Sequence, residues 1–271
     1  MSYTLSTQEQ HQYQKDGYLV RAAVFKNDEL TALREAVENA EKRARKMCSQ
    51  GKTYILDGKR FVDIQHHTVQ FEAASRTDAI RVIEPVHELD PVLDALIDNK
   101  KIVDPMRSLL GSRNIALWTD KLNLKTPREG SGFGWHQDSP YWVHDNNHID
   151  QLHNVYLALD DANVENGCFR IIRGSHTRGC LPGIDDGTSL GGFYTNPNCF
   201  EISRQVAFEV KAGSLIFFHA HTVHGSQANT SGKPRRALIM TYQPAGYPML
   251  KSARHRNIQT TKWTTVRRPS L

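Results

Sequence analysis

From residue 115 to about residue 242, short segments alternate apolar and polar residues and are separated by Gly and Asn. Successive side chains on a strand point to opposite faces, so each such segment offers one face to a core. In 115–125, Leu122 and Leu124 point one way and Thr119, Lys121, Asn123 and Lys125 the other. Further strand candidates are 155–159, 168–172, 206–210, 214–218 and 237–242, with Ala212 and Gly213 as a tight turn between two of them. Strands this short and this evenly punctuated predict a closed sandwich or barrel.

The preceding residues read differently. Thr7 can cap a short polar helix that ends before Gly17, and Tyr18 to Val20 is a strand candidate. Asn27 then caps a longer helix in which Leu30, Leu33, Val37, Ala40, Ala44 and Met47 recur at helical spacing. Two short helices follow at about 91–98 and 101–110, the second stopped by Gly111. Residues 50–85 show no clear period. Helices first and strands later predict a mainly β protein with flanking helices on one outer face. A chain of 271 residues suits one such domain, with a helical part over about 1–112, a β core over about 113–245 and a tail over 246–271.

Net charge of +5 is too modest for a dedicated nucleic-acid surface. Lys251, Arg254, Arg256, Lys262, Arg267 and Arg268 gather near the C-terminus and read either as a solvated tail or as partners for the phosphates of an acyl-CoA. Four scattered cysteines form no CxxC pair, which disfavours a zinc ribbon or a redox motif and suits reduced thiols. The N-terminus lacks a basic segment followed by an apolar run, and no run of 18 apolar residues occurs. The C-terminus lacks the Ser-Lys-Leu peroxisomal ending. The expectation is a cytoplasmic protein with neither a nucleic-acid nor a membrane partner.

Chemistry concentrates in the β region. Trp135-His136-Gln137-Asp138 is followed much later by His224-Gly225-Ser226 and then Arg235. Two imidazoles and a carboxylate hold iron at three positions and leave the others open. An arginine is the partner expected for a cosubstrate that ends in a carboxylate. The set points to an Fe(II)- and 2-oxoglutarate-dependent oxygenase, with His136, Asp138 and His224 as ligands and Arg235 on the cosubstrate. A lone His-x-Asp is weak evidence in a chain with 13 histidines, and His148-Ile149-Asp150 is a second one. His136 follows a glycine-punctuated stretch and precedes Tyr141 and Trp142, as a strand entering an enclosed site does. His148 lies among Asp145, Asn146 and Asn147 and reads as a solvated loop.

Period 2 would bring His136 and Asp138 to one strand face, with Gln137 facing elsewhere. His224 is favoured over His219 and His221, which suit core or supporting roles, because it ends its strand just before Gly225. The turn-rich stretch 226–234 would return the chain antiparallel beside that strand and aim Arg235 into the same hollow. Lys121 and Asn123 either line a polar site or face solvent. Ser226 is placed to donate to the carboxylate that Arg235 grips, Tyr156 to line the cavity, and Trp142 to form a substrate wall or plain core. Gln137 is a further candidate for substrate contact. Residues 177–205, rich in Gly, Pro, Asn and Asp, form a candidate lid or substrate-contact loop.

In order, these motifs resemble the phytanoyl-CoA dioxygenase family over roughly residues 5–245. Lys15-Asp16-Gly17-Tyr18-Leu19-Val20 is similar to its first strand entry, and Trp135 to Trp142 to its iron motif. Leu157 to Asp161, Glu165-Asn166-Gly167 and Gly174-Ser175-His176 resemble its central sheet segment; His224-Gly225-Ser226 with Arg235 resembles its distal histidine and cosubstrate arginine. Arg173 departs from the family's usual proline, which leaves the iron site untouched. The resemblance implies a double-stranded β-helix (jelly roll) with flanking helices. It implies Fe(II) on His136, Asp138 and His224, and 2-oxoglutarate on Arg235 and Ser226, with Lys121, Asn123 and Tyr156 as further contacts. Asp138 argues against a halogenase, because members that halogenate usually lack that carboxylate.

The expected reaction is hydroxylation of an aliphatic C–H of a small-molecule metabolite or natural product, with O2 consumed and succinate and CO2 released. The alternatives are an acyl-CoA 2-hydroxylase, a jelly-roll metalloenzyme without 2-oxoglutarate, a nucleic-acid demethylase and a non-catalytic binding module.

Overall fold

The computed structural model describes residues 2–73, 78–189 and 191–259. Lys262, Arg267 and Arg268 of the basic tail lie outside these residues. The chain opens with helix α1 (Thr7–Asp16), strand β1 (Tyr18–Arg21) and helix α2 (Asn27–Cys48). Strands β2 (Lys52–Leu56), β3 (Lys59–Ile64), β4 (His67–Ala73) and β5 (Ile80–Glu84) follow, then helices α3 (Pro91–Ile97) and α4 (Lys100–Leu110). The remainder is β6 (Ile115–Lys125), β7 (Phe133–His136), the short helix α5 (Ser139–Trp142), β8 (His153–Ala158), β9 (Phe169–Ile172), β10 (Gln205–Ala207), β11 (Leu215–His219), β12 (His224–Ser226) and β13 (Arg235–Pro244).

Both N-terminal helix caps sit one residue earlier than the sequence suggests. Ser6, not Thr7, caps α1: its hydroxyl accepts from Glu9 N while Glu9 returns to Ser6 N at 2.8 Å. Gly17 ends that helix at φ 81°, a conformation that costs a Cβ-bearing residue about 1 kcal/mol or more. Lys26 precedes α2, where the Glu29 carboxylate accepts from Lys26 N at 2.8 Å; Asn27 is the first helical residue. Gly111 stops α4 in the left-handed region, as expected.

Nine antiparallel strands form one sheet in the order β1-β11-β8-β13-β6-β5-β4-β3-β2, and four form a second in the order β10-β9-β12-β7. Side-chain alternation divides the core in two. Val155, Leu157, Leu215, Phe217, Leu238 and Met240 face the helices and pack with Leu33, Val37 and Ala40 of α2. Their neighbours Tyr156, Ala158, Ile216, Phe218, Ala237 and Ile239 face inward and meet Phe169 and Ile171 of the smaller sheet. Burying a side chain such as Phe217 stabilises the fold by about 1.5–3 kcal/mol. The architecture is a double-stranded β-helix with flanking helices.

Two expectations need correction. The first 112 residues are not a helical part: β2–β5 extend the large sheet beyond β6. Within 50–85, β2 and β3 are only partly buried, so their apolar period is weak. Residues 246–259 are not a solvated tail either. Leu117 N donates to Arg256 O, Ile258 is buried, and Arg256 pairs with Asp94 and Asp98. No helix among the described residues is long and apolar enough to cross a membrane.

Candidate active site

A cavity of about 540 Å³ lies between the two sheets. His136, at the end of β7, and His224, at the start of β12, are register partners, with ring centroids 4.2 Å apart. Asp138 arrives by another route than the sequence suggested. The strand stops at His136, and Asp138 has helical φ and ψ of −75° and −30° at the entry to α5. Its backbone N–H and that of Ser139 donate to Ala220 O, so the turn before β12 sets the carboxylate's place. His224 likewise starts a strand instead of ending one: β11 finishes at His219, and 220–223 carry the chain from the large sheet to the small one.

One nitrogen or oxygen of each of these three residues lies within 4.8 Å of the others, and His224 Nε2 is 3.9 Å from Asp138 Oδ2. His136 Nδ1 donates to Gly134 O at 2.7 Å and His224 Nδ1 to Thr222 O at 2.9 Å. A carbonyl only accepts, so each Nδ1 carries the proton and each Nε2 presents a lone pair to the shared centre. Burial, reinforced by the neighbouring His224, pushes His136 down to about 3. Burial also lowers His224. Burial opposes ionisation of Asp138, but Lys121, His224 and His136 outweigh it and hold the carboxyl below its usual range. Two neutral imidazoles and one carboxylate, with room beside them, suit an Fe(II) ion that keeps open positions.

Across the cavity Arg235 is buried, and its Nη1 donates to Tyr156 Oη at 3.0 Å. Its Nε lacks a partner, and no carboxylate pairs with it among the described residues. Arg235 does not lie beside the His224 strand as the sequence suggested. It opens β13, between β6 and β8 of the large sheet, and faces the histidines from the opposite wall. Its register partner Lys125 is pushed down to about 6 by burial, with Arg235 and Arg81 adding to the effect. Arg235 therefore stands as a desolvated cation awaiting an anion, the setting in which a carboxylate binds most firmly.

Lys121, Asn123, Tyr156, Trp142 and Ser226 all line this cavity. Lys121 is 3.6 Å from Asp138 and its ammonium lies 5.1 Å from the Trp142 ring centre. Burial lowers the Lys121 pKa, but Glu84 and Asp138 more than offset it, so the ammonium stays charged. Asn123 Oδ1 is buried without a partner. Trp142 is both wall and core, packed against Trp118, Leu152 and Ala220. Gln137 is a correction: it is fully buried and away from the cavity lining. Its Nε2 donates to Gly179 O and His221 O at 2.8 and 2.5 Å, and its Oε1 accepts from Leu181 N at 2.7 Å. The side chain staples the 177–205 segment to the sheet.

The family model of the phytanoyl-CoA dioxygenases matches residues 13–237.

The chain belongs to the phytanoyl-CoA dioxygenase family.

As a member it is an Fe(II)- and 2-oxoglutarate-dependent dioxygenase. Its sequence is 28% identical over 257 residues to a probable alpha-ketoglutarate-dependent hypophosphite dioxygenase of Stutzerimonas stutzeri, covering 90% of this chain and 80% of that one. It is 27% identical over 263 residues to an ectoine dioxygenase of Bordetella bronchiseptica, covering 88% and 75%. The fold matches the solved structure of EctD from S. alaskensis with 2-oxoglutarate and 5-hydroxyectoine, at a TM-score of 0.68 and 21% identity over 92% of this chain and 79% of that one.

In this dioxygenase the candidate lid touches the site. Tyr194 bridges to the His136 backbone, Thr195 N donates to Trp135 O at 2.9 Å, and Phe193 stacks on Tyr141 with centroids 4.3 Å apart. His148 is not in a solvated loop: it is buried, bonded through Nε2 to Gln243 Oε1 and stacked on Tyr247. His221 bonds Asp150, and His219 Nε2 lies 3.2 Å from Asp150 O, so both serve the framework. The residue that sequence reasoning passed over is Asn154. Its Nδ2 donates to Asp138 Oδ2 at 2.8 Å, and its Oδ1 accepts from Thr241 Oγ1 at 2.6 Å. The available signal was its shared strand face with Tyr156.

Proposed function

We propose that Nε2 of His136, Nε2 of His224 and the Asp138 carboxylate hold Fe(II). In this reading Arg235 grips the distal carboxylate of 2-oxoglutarate, with Tyr156, Ser226, Asn123 and Lys121 as polar neighbours. The enzyme then hydroxylates an aliphatic C–H of a small-molecule metabolite or natural product. The observation that carries this reading is the convergence of two bare imidazole nitrogens, a carboxylate and an anion-seeking guanidinium on one cavity.

When bound, iron and 2-oxoglutarate supply the oxidation, in which the keto acid loses CO2 to become succinate and one oxygen atom of O2 enters the substrate. The chain's own residues position and exclude. Asn154 fixes which oxygen of Asp138 faces the centre. Tyr156 holds the Arg235 fork so that a carboxylate meets it in one orientation. Tyr141 lines the cavity with Phe193 stacked on it, a pair placed to limit water.

The outer cavity combines Asp63, Glu84 and Asp145 with Lys251 and the rings of Tyr54 and Phe61. That mix suits a compact polar metabolite, in keeping with the ectoine named for one relative. The acyl-CoA alternative drew on the C-terminal basic residues, but Arg254 and Arg256 are engaged by carboxylates. The test is succinate release with Fe(II), 2-oxoglutarate and a panel of small metabolites, read beside product mass. A hydroxylated product (mass gain of one oxygen) supports the assignment. Full coupled turnover by Asp138→Ala would refute the ligand set.

A further inference from the structure

We infer that His66, His67 and Glu88 form a second metal site, away from the catalytic trio, for an imidazole-seeking dication of the zinc(II) class. His66 closes the turn before β4, His67 opens β4, and Glu88 lies in the single helical turn His87–Leu89. One ligand atom from each of the three lies within 4.8 Å of the others.

The orientation of the imidazoles is what asks for a cation. His67 is buried, and its Nδ1 donates to Pro85 O at 2.9 Å. That carbonyl has no proton to give, so Nε2 of the neutral ring is bare; it faces Glu88 Oε2 at 3.9 Å. His87 is buried too. Its Nδ1 bonds Asp120 Oδ1 at 2.6 Å, and its Nε2 faces the other oxygen of Glu88 at 3.7 Å. Separations of 3.7 and 3.9 Å are too long for hydrogen bonds. At His67 this sets an imidazole lone pair against a carboxylate oxygen, which a cation between them would relieve. His66 completes the set: its Nε2–H donates to Glu88 Oε2 at 2.6 Å, and a metal ion would take the place of that proton.

The scaffold is already rigid. Asp120 accepts from the backbone N–H of Val86 and of His87 as well as from the His87 ring, which fixes the turn that carries Glu88. Imidazole Nδ1–H groups bound to a carbonyl or a carboxylate are the usual means of orienting metal-binding histidines. Two histidines and one glutamate are a recognised zinc set that leaves a fourth position for water.

Arg254 now supplies the positive charge. Its guanidinium contacts Glu88 Oε1 and lies 3.2 Å from His66 Nε2. Its side chain is 59% exposed, so it can leave into water at little cost. The segment that carries it also carries Leu250 and Lys251, which line the catalytic cavity. An ion that displaces Arg254 therefore acts on a cavity wall.

The test is metal content. The full-length protein is stripped with a chelator, loaded with zinc(II), desalted and analysed. The expected result is two equivalents in the wild type and one in His67→Ala. In an Asp138→Ala background the expected result is one equivalent, with a zinc-dependent rise in Tm that a further Glu88→Gln removes. Arg254→Ala should tighten this site at least several-fold, because the competing cation is gone; a mere ion-pair network predicts no metal uptake there. One equivalent in the wild type, or undiminished content in both His67→Ala and Glu88→Gln, overturns the inference.

Discussion

Asn154 donates its amide Nδ2 to Asp138 Oδ2 across 2.8 Å, from a strand of the large sheet to the helix entry beside the small one. This bond joins the two halves of the site, and Thr241 fixes the far side of the same amide. Asn154→Leu should keep the fold and free the carboxylate to rotate. Losing such a supporting bond weakens metal binding by about 10–100-fold. Fe(II) titration of the anaerobic protein measures it; unchanged affinity would show that Asp138 is held by its backbone alone.

Arg235→Ala should raise the 2-oxoglutarate requirement steeply. A hydrogen bond to a charged group contributes about 1.5–3 kcal/mol, so losing even one gives a loss of roughly 10–150-fold. Tyr156→Phe should cost less, because it removes only the hydroxyl that positions Nη1. KM for 2-oxoglutarate in the two variants is the measurement. Equal, small effects would move the cosubstrate elsewhere.

The metal-free protein should lose stability in mild acid. His136 is held down to about 3 and His219 to about 4, both chiefly by burial, and His224, His176 and His153 are lowered for the same first reason. The ordinary value is 6.5, so between that pH and these folded values the unfolded chain binds more protons. Stability present above about pH 6.5 is therefore lost as pH falls toward 4. His87, raised by Asp120 against its burial, works in the opposite sense. Tm recorded from pH 7.5 to 4 checks the sign, and a flat profile contradicts it.

Phe193→Ala should loosen the segment that covers the site. Its stack on Tyr141 is a pairing of a kind worth about 0.5–1.5 kcal/mol beyond area burial. Cleavage within 177–205 by a dilute protease should speed by about 2–12-fold, with more 2-oxoglutarate consumed per substrate hydroxylated. No change in either quantity would deny the segment a gating role.

The chemistry was legible in the residues. A histidine, an aspartate, a second histidine and an arginine in this order, with Trp135 before the first histidine and Gly225 after the second, announced their types, and β alternation from residue 115 announced the sheet. Their routes into the site were not legible. Period 2 placed Asp138 on a strand, whereas a bond network to Ala220 bends the chain into α5 first. A turn-rich loop placed Arg235 beside His224, whereas it crosses to the other sheet. Strands β2 and β3 were not legible because half-exposed strands carry little apolar period.

By itself the sequence determined which groups this protein can bring to a reaction, since ligand type and charge are properties of single side chains. Tertiary structure alone decided that His136 and His224 are register partners, that Gln137 staples a loop and that Asn154 reaches Asp138. Those facts depend on how two sheets pack and where the chain changes sheet, and such long-range geometry leaves no mark on local spacing.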